Sequence, residues 1–521
     1  MRPGSLVLAL GFFALVLFGT LGWRPVYKAD EGRYAEIPRE MAASGDWVTP
    51  RLNGLKYFEK PPLQYWATAA FFKAFGVSDA VSRLWTALAA AAGIALAFFA
   101  GRKLFGGEAG AFAALVLAGS PLYALLAQLN TLDMALSFFL SAAIFAFALE
   151  RYYLFWAACA FAVLSKGLIG IVLPGATLFL YFLLTGRWAL LGKMKILPGG
   201  LLFLVLSAPW FLAVSAANPE FARFFFIQEH FERFTTKMHD RYQPAWFFLP
   251  ILAAGIAPWI LPFFRSLARI DRRGPGFLLA LWALVVFLFF SASGSKLPSY
   301  ILPIFPALAV LIGAALAGSA PRRLLFAQAM LAVAAGVAIA ALSATLSARM
   351  GDPLGQHRAW VFAIALWLAA AAAAAAVAAW RGKLLPAVAF LSVASFGGTS
   401  LALAWNSRLE PPASIRDQAA ALGPVDPAAR VFAVDFYDHT IPWYFRREVT
   451  MVGYKDELAQ AIAWEPSKFI PDLPGFERAW AGAPAAYAVF SARQFPSLQK
   501  QLAAPMEIVS RGSRYVIVRK P

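Results

Sequence analysis

Cysteine is all but missing from this sequence. Cys159 stands alone among 521 residues and lies inside an apolar run, so an intrachain disulfide and a cysteine-rich metal site are both excluded. Histidine is scarce too, with 4 residues and no clear multi-ligand spacing. Charge is thin: 14% of residues are charged against 60% hydrophobic, and the mean hydropathy is +0.64. An ordinary soluble protein is excluded, because such a composition needs lipid as its solvent. Acids are the scarcer sign, 28 against 46 bases, for a formal charge of +18. That balance suits an anionic membrane surface or an acidic substrate. Nucleic acid as a partner is excluded, because many of the bases sit in short connectors between apolar runs.

What is there, above all, is a series of apolar runs. Those long enough to cross about 30 Å of hydrocarbon predict roughly thirteen spans. They lie near 5–22, 80–100, 108–126, 133–149, 152–165, 168–186, 197–215, 246–264, 276–293, 298–317, 324–346, 360–380 and 385–405. The first follows Arg2 and has no clear cleavage site before Trp23, so it reads as a retained signal anchor. With the N-terminus in the cytoplasm, the connectors with Arg102, Arg151, Arg187, Arg265, Arg322 and Arg381 all fall inside, as the positive-inside rule asks. Two long connectors, about 23–79 and 216–245, break that rule on the outer side and carry acids as well. They are candidates for one site. After residue 405 short apolar segments appear, A-R-V-F-A-V-D-F, A-A-Y-A-V-F and R-Y-V-I-V-R, separated by Gly and Pro. They predict a small mixed α/β domain over 406–521, on the outer side. V-D-F-Y-D reads there as a strand ending in a turn rather than as a ligand carboxylate. No nucleotide-binding fingerprint occurs in this part, and no internal repeat occurs anywhere.

The stretch over residues 30–62, D-E-G-R-Y-A-E-I-P-R-E-M onward to Y-F-E-K-P-P, crowds acids and bases together in an otherwise weakly charged chain. Such charges beside a bilayer are costly unless they bind something. Asp30 is placed to cap a helix with Tyr34, Ile37 and Met41 on one face and Arg33, Glu36 and Glu40 on another, limited or kinked by Pro38. Pro61 and Pro62 then mark the start of a second helix, too short to span and suited to the interface. Asp30 and Glu31 are vicinal carboxylates with separate roles: one takes a proton or steadies positive charge, the other pairs with Arg33. Lys60, beside Glu59, offers a phosphate a point charge, and Arg33 or Arg233 offers a planar fork. Asp133 at the outer start of a span is either a functional carboxylate or a helix cap. Lys166 faces the same region or snorkels to the surface. In Q-E-H-F-E-R-F, Glu229, His230 and Arg233 share one helical turn, and Glu59 with His230 is a candidate zinc pair. Lys296 in S-G-S-K-L-P-S-Y has no structural explanation from sequence.

These segments carry a resemblance. D-E-G-R-Y-A-E-I-P-R-E-M, Y-F-E-K-P-P-L-Q-Y-W, the Asp133 region, Q-E-H-F-E-R-F and S-K-L-P-S-Y-I-L-P resemble the bacterial lipid A aminoarabinose transferases. Those are membrane glycosyltransferases related to protein O-mannosyltransferases. The likeness covers most of the membrane part and fades toward the C-terminus. It implies an all-α polytopic membrane protein of the GT-C fold in the bacterial inner membrane, with a small periplasmic α/β domain and a site facing the periplasm. It implies a sugar donor linked to undecaprenyl phosphate, with 4-amino-4-deoxy-L-arabinose the sugar and lipid A phosphate the acceptor. It makes Asp30 the leading catalytic candidate, Lys60 and Arg233 ligands of carrier phosphate, and Asp133 part of the cavity lining; Glu31, Arg33, Tyr34, Glu59 and Lys166 complete the set of candidates. Some relatives hold a metal at the residues matching Glu59 and His230. A protein hydroxyl or surface glycan is the alternative acceptor. A transporter is disfavoured, because the charges gather at one face and no repeat exists.

Overall fold

The computed structural model describes residues 4–27, 29–232, 243–318, 321–349, 351–352, 355–407 and 414–521, with 229–232 as backbone only. The chain forms two compact units. One joins Met1–Leu21 to Arg83–Asn406, and the other joins Gly22–Ser82 to Ser407–Pro521. Sequence alone divides the chain near residue 405. The contacts instead assign the charged opening segment to the same unit as the C-terminal part.

The first unit is helical, and every apolar run named above forms helix in it. Among the described residues seven helices are long and apolar enough to cross a membrane, or eight with a bent pair taken as one span. Five more apolar helices, Gly4–Gly19, Gly107–Ala118, Asp133–Ala148, Tyr152–Lys166 and Ile169–Thr185, are 10–17 residues long. At 1.5 Å per residue such helices reach only about 15–25 Å, short of a typical hydrocarbon core. Length alone therefore does not reach the expected count of about thirteen.

The bent pair, Ala245–Gly255 and Ala257–Leu267, turns by 74° where one straight span was expected. Pro258 lies at the break and cannot donate a backbone hydrogen bond. Freed backbone groups in lipid must find partners, and the buried Gln328 supplies them. Its Oε1 accepts from the Leu261 N–H at 2.9 Å, and its Nε2 donates to the Ala257 carbonyl at 3.3 Å. Other helices are joined the same way: Tyr123 donates to the Ala90 carbonyl at 2.8 Å, Ser392 to Leu115 at 2.7 Å and Trp282 to Pro303 at 3.0 Å. Gly110 marks a close backbone crossing, where a Cβ would lie 2.5 Å from the Phe98 carbonyl.

The second unit holds the mixed sheet. A hairpin of β1 (Arg51–Leu52) and β2 (Leu55–Lys56) turns through Asn53 and Gly54, at φ 55° and 75°. Asn-Gly is the preferred pair for such a turn, and sequence reading passed over it. The remaining strands are β3 (Arg430–Val434), β4 (Thr450–Val452), β5 (Phe469–Ile470), β6 (Ala486–Ser491), β7 (Glu507–Arg511) and β8 (Tyr515–Arg519). Their order is β5-β4-β3-β6-β8-β7. β3 is parallel to β4 and β6, β4 is parallel to β5, and β8 is antiparallel to both of its neighbours. The three segments read from sequence became β3, β6 and β8. β3 is not half-polar: Phe432 and Val434 enter one core with Phe476 and Trp480, while Val431 and Ala433 enter another with Ile441 and Phe445. A central parallel strand is covered on both faces, so it carries a continuous apolar run.

Candidate functional site

Candidate residues fall in both units, and each group is built by its own local structure. In the second unit the helix Asp30–Ser44 runs through Pro38 without stopping and ends at Gly45, φ 75°. Asp30 is not its cap. Ala29 holds that position with no side-chain cap bond, and Asp30 instead accepts a hydrogen bond from Arg33 Nη1 at 3.0 Å. A charged donor outcompetes a backbone N–H for that carboxylate. Glu31 is buried and accepts from the Tyr27 N–H at 3.2 Å, so the two vicinal carboxylates have different partners.

The Arg33 guanidinium is the hub of this group. Its other terminal nitrogen pairs with Glu457, and it lies 5.8 Å from each of the Tyr34 and Tyr57 ring centres. His439 closes on the other Glu457 oxygen. Gly32 lets the helix come this near, since a Cβ there would sit 2.8 Å from that of His439. Tyr34 stacks on Tyr65 at 6.3 Å. Burial pushes the Tyr34, Tyr57 and Tyr65 phenols above their ordinary range, so each remains a protonated donor. The Tyr57 and Tyr65 hydroxyls have no partner among the described residues. Buried donors without partners are what a polar substrate needs.

Lys60 is half-buried; its Nζ donates to the Glu59 carbonyl at 2.8 Å and stands 4.0 Å from the Glu59 carboxylate. Pro61 and Pro62 lead into the helix Leu63–Phe75, with the 13 residues read from the sequence. One turn along the first helix, Glu36 holds Arg39 by two bonds of 2.7 and 2.6 Å, and Glu40 accepts from the Gly54 N–H at 2.9 Å. Burial, and then the neighbouring Glu36, hold the Glu40 carboxyl well above its ordinary value.

In the first unit Asp133 begins the helix Asp133–Ala148 but does not cap it; Leu132 occupies the cap. Its carboxylate pairs with Lys166, the last residue of Tyr152–Lys166. Lys166 therefore does not snorkel freely; its Nζ also lies 4.7 Å from the Tyr300 ring centre. Lys296 is explained by two carbonyls, Gln243 at 2.8 Å and Ser293 closer still. The second charged connector begins as a π-helix over Arg223–Glu232. The side chains of Glu229 and His230, and the whole of Arg233, lie outside the described residues. Among the described residues no three His, Cys, Asp or Glu side chains assemble for a metal, so Glu59 is the one described member of the zinc pair.

Residues 419–520 match the family described as the aminoarabinose transferase C-terminal domain, and residues 59–212 match dolichyl-phosphate-mannose-protein mannosyltransferase. A curated undecaprenyl phosphate-alpha-4-amino-4-deoxy-L-arabinose arabinosyl transferase from Edwardsiella ictaluri is 32% identical over 307 residues, 55% of this chain and 54% of that protein. The match thus spans about half the length of such curated relatives. The crystal structure of ArnT from Cupriavidus metallidurans bound to undecaprenyl phosphate decides the matter: 36% identity, a TM-score of 0.90, and coverage of 100% of this chain and 99% of that one. This chain belongs to the aminoarabinose transferase family. As a member it is a polytopic membrane protein with the GT-C architecture. That fold also appears in the archaeal oligosaccharyltransferase AglB from Archaeoglobus fulgidus, at 13% identity, a TM-score of 0.50, and coverage of 94% of this chain and 69% of that one.

The mannosyltransferase match contains Glu59, Lys60, Asp133 and Lys166, whereas the C-terminal match contains Glu457 and His439. The last two escaped sequence reading. Nothing local marks Glu457 as a partner of a residue 424 positions away.

Proposed function

We propose that this chain transfers 4-amino-4-deoxy-L-arabinose from undecaprenyl phosphate to a phosphate of lipid A, at the periplasmic face of a bacterial inner membrane. The observation that carries the reading is full-length similarity to a transferase structure bound to undecaprenyl phosphate. An acceptor phosphate oxygen attacks the anomeric carbon. The bond from that carbon to the carrier phosphate breaks, and its electron pair leaves on the carrier phosphate. Configuration inverts relative to the carrier bond. Lys60 balances the charge that grows on the leaving phosphate, with Arg233 as its partner in this proposal. Asp30, steadied by Arg33, orients the sugar or acceptor and takes any proton the acceptor phosphate still holds.

The same reading has the five shorter apolar helices cross the bilayer as well, giving about thirteen spans in a locally thinned membrane. The N-terminus is then cytoplasmic and the domain after residue 405 periplasmic. Reporter fusions after Ser407 and after Arg323 should give opposite signals. Mass spectrometry of lipid A with and without the gene tests the reaction. Loss of one aminopentose on deletion is expected. Unchanged lipid A, with the sugar lost from a protein or polymer, would overturn the acceptor.

A further inference from the structure

The helices that carry Asp133 and Lys166 have their opposite ends at a cavity of about 570 Å³ within the first unit. At the rise of an α-helix it lies roughly 20 Å from that ion pair. Lys103, Arg187, Lys193 and Arg273 line it, against one acid, Glu150. They come from three places in the chain: the end of the helix Leu84–Phe105, the connector 186–195 with its short helix Leu190–Lys193, and the connector before Pro275. The floor is apolar and aromatic, with Tyr152, Tyr181 and Leu278 buried. Arg187 is held in place, donating to the Tyr181 hydroxyl at 2.9 Å and to the Arg273 carbonyl at 3.0 Å. The Lys103 and Lys193 ammoniums and the Arg273 guanidinium make no ion pair among the described residues. Nearby Trp188 packs its ring 6.0 Å from Phe179 and 5.9 Å from Phe182, an aromatic arrangement suited to the headgroup level.

The positive-inside rule accounts for bases on this face. It does not account for their convergence on a concavity, where like charges repel unless an anion lies among them. The exposed cations above an apolar floor match a phosphodiester with acyl chains attached; basic pockets between membrane helices hold such headgroups. We propose that this cavity binds the headgroup of an anionic phospholipid, its phosphate lodged between Arg187, Lys193 and Lys103. The site stands apart from the transfer chemistry and does not depend on it.

Titration of the purified full chain in detergent with dioleoylphosphatidylglycerol, followed by native mass spectrometry, tests it, with dioleoylphosphatidylcholine as the zwitterionic comparison. Each base near a membrane surface contributes about fivefold in affinity. Arg187→Ala with Lys193→Ala should therefore weaken phosphatidylglycerol binding roughly 25-fold and leave phosphatidylcholine binding unchanged. Arg381→Ala with Lys383→Ala, bases in another connector and outside the cavity, should change neither. If the double variant melts early, the exposed single changes Lys103→Gln and Lys193→Gln carry the test at about fivefold each. Equal losses in the cavity and control pairs would overturn the site, as would no preference of the native chain for the anionic lipid. Displacement of the lipid by millimolar inorganic phosphate would overturn the lipid assignment in favour of a free anion.

Discussion

Asn53 and Val449 exchange two hydrogen bonds of 2.7 Å each, side-chain amide to backbone and backbone to side-chain carbonyl. Val449 immediately precedes β4, and Asn53 occupies the turn of the hairpin, so the opening segment is bonded to the sheet of the C-terminal part. Lys468 adds a bond to the Gly54 carbonyl at 2.6 Å, and Arg51 pairs with Glu465 at 3.0 Å. The opening segment that carries Asp30 and Lys60 thus belongs to a folded unit and is not a loose connector.

Replacing Asn53 by Ala would strand a buried N–H and a buried carbonyl of Val449 at once. Leaving such groups unsatisfied costs on the order of 2–3 kcal/mol. Asn53→Ala should therefore lower the melting temperature of the purified protein clearly, whereas Lys468→Ala, an exposed contact, should lower it little. Equal effects would mean the amide bonds do not hold the two segments together.

How much of this was legible beforehand varies residue by residue. Pro61 and Pro62 announced the helix Leu63–Phe75 because proline suits a helix start. Asp30 was misread as a cap, since its competing partner Arg33 sits only three residues on and a sequence does not rank the two bonds. The span near 246–264 reads as continuous by apolar composition; Pro258 marks the break, but Gln328, which satisfies the freed groups, lies 67 residues beyond Leu261. Val431 to Val434 are apolar without a break, and the parallel pairing of β3 on both sides explains why none is polar. Glu457 and His439 left no local signal at all. Asn53 and Gly54 did leave one, as a hairpin dipeptide, and it was missed.

Glu40 gives a pH dependence. In the folded chain its carboxyl keeps a proton to higher pH than in the unfolded chain, because burial and Glu36 oppose its charge. Folding then binds that proton between the two values. The stability from this group is full below the unfolded value and is lost as pH rises through the folded one. Glu40→Gln keeps an acceptor for the Gly54 N–H and removes the charge. It should raise the melting temperature at pH 8, with the gain shrinking toward pH 4. A gain independent of pH would refute the charge argument.

Lys60 stands on a half-buried segment between a hairpin and a helix, so its removal should spare the fold. On the proposed chemistry it removes a charge-assisted phosphate contact worth about 2–3 kcal/mol, about 30- to 160-fold in kcat/KM for the lipid-linked donor. Purified Lys60→Ala with an unchanged melting curve and unchanged donor kinetics would place the carrier phosphate elsewhere.

Asp30 and Asp133 separate chemistry from architecture. The Asp30 side chain is 46% exposed and its partner Arg33 keeps Glu457, so Asp30→Asn leaves no cation stranded. The Asp133 side chain is 12% exposed and its partner Lys166 is 16% exposed, with a tyrosine ring as the other neighbour named here. Neutralising one member of a largely buried ion pair is destabilising, by up to about 3–5 kcal/mol. Asp133→Asn should therefore melt early, and Asp133→Asn with Lys166→Met should recover much of that loss. Asp30→Asn should melt like the native chain and yet abolish detectable transfer, since it keeps shape and hydrogen bonding while removing the charge at the proposed reacting centre. The comparison uses purified protein in detergent, melting curves beside turnover. Near-normal turnover by Asp30→Asn would leave the opening segment as a binding platform and move the search for the reacting group elsewhere.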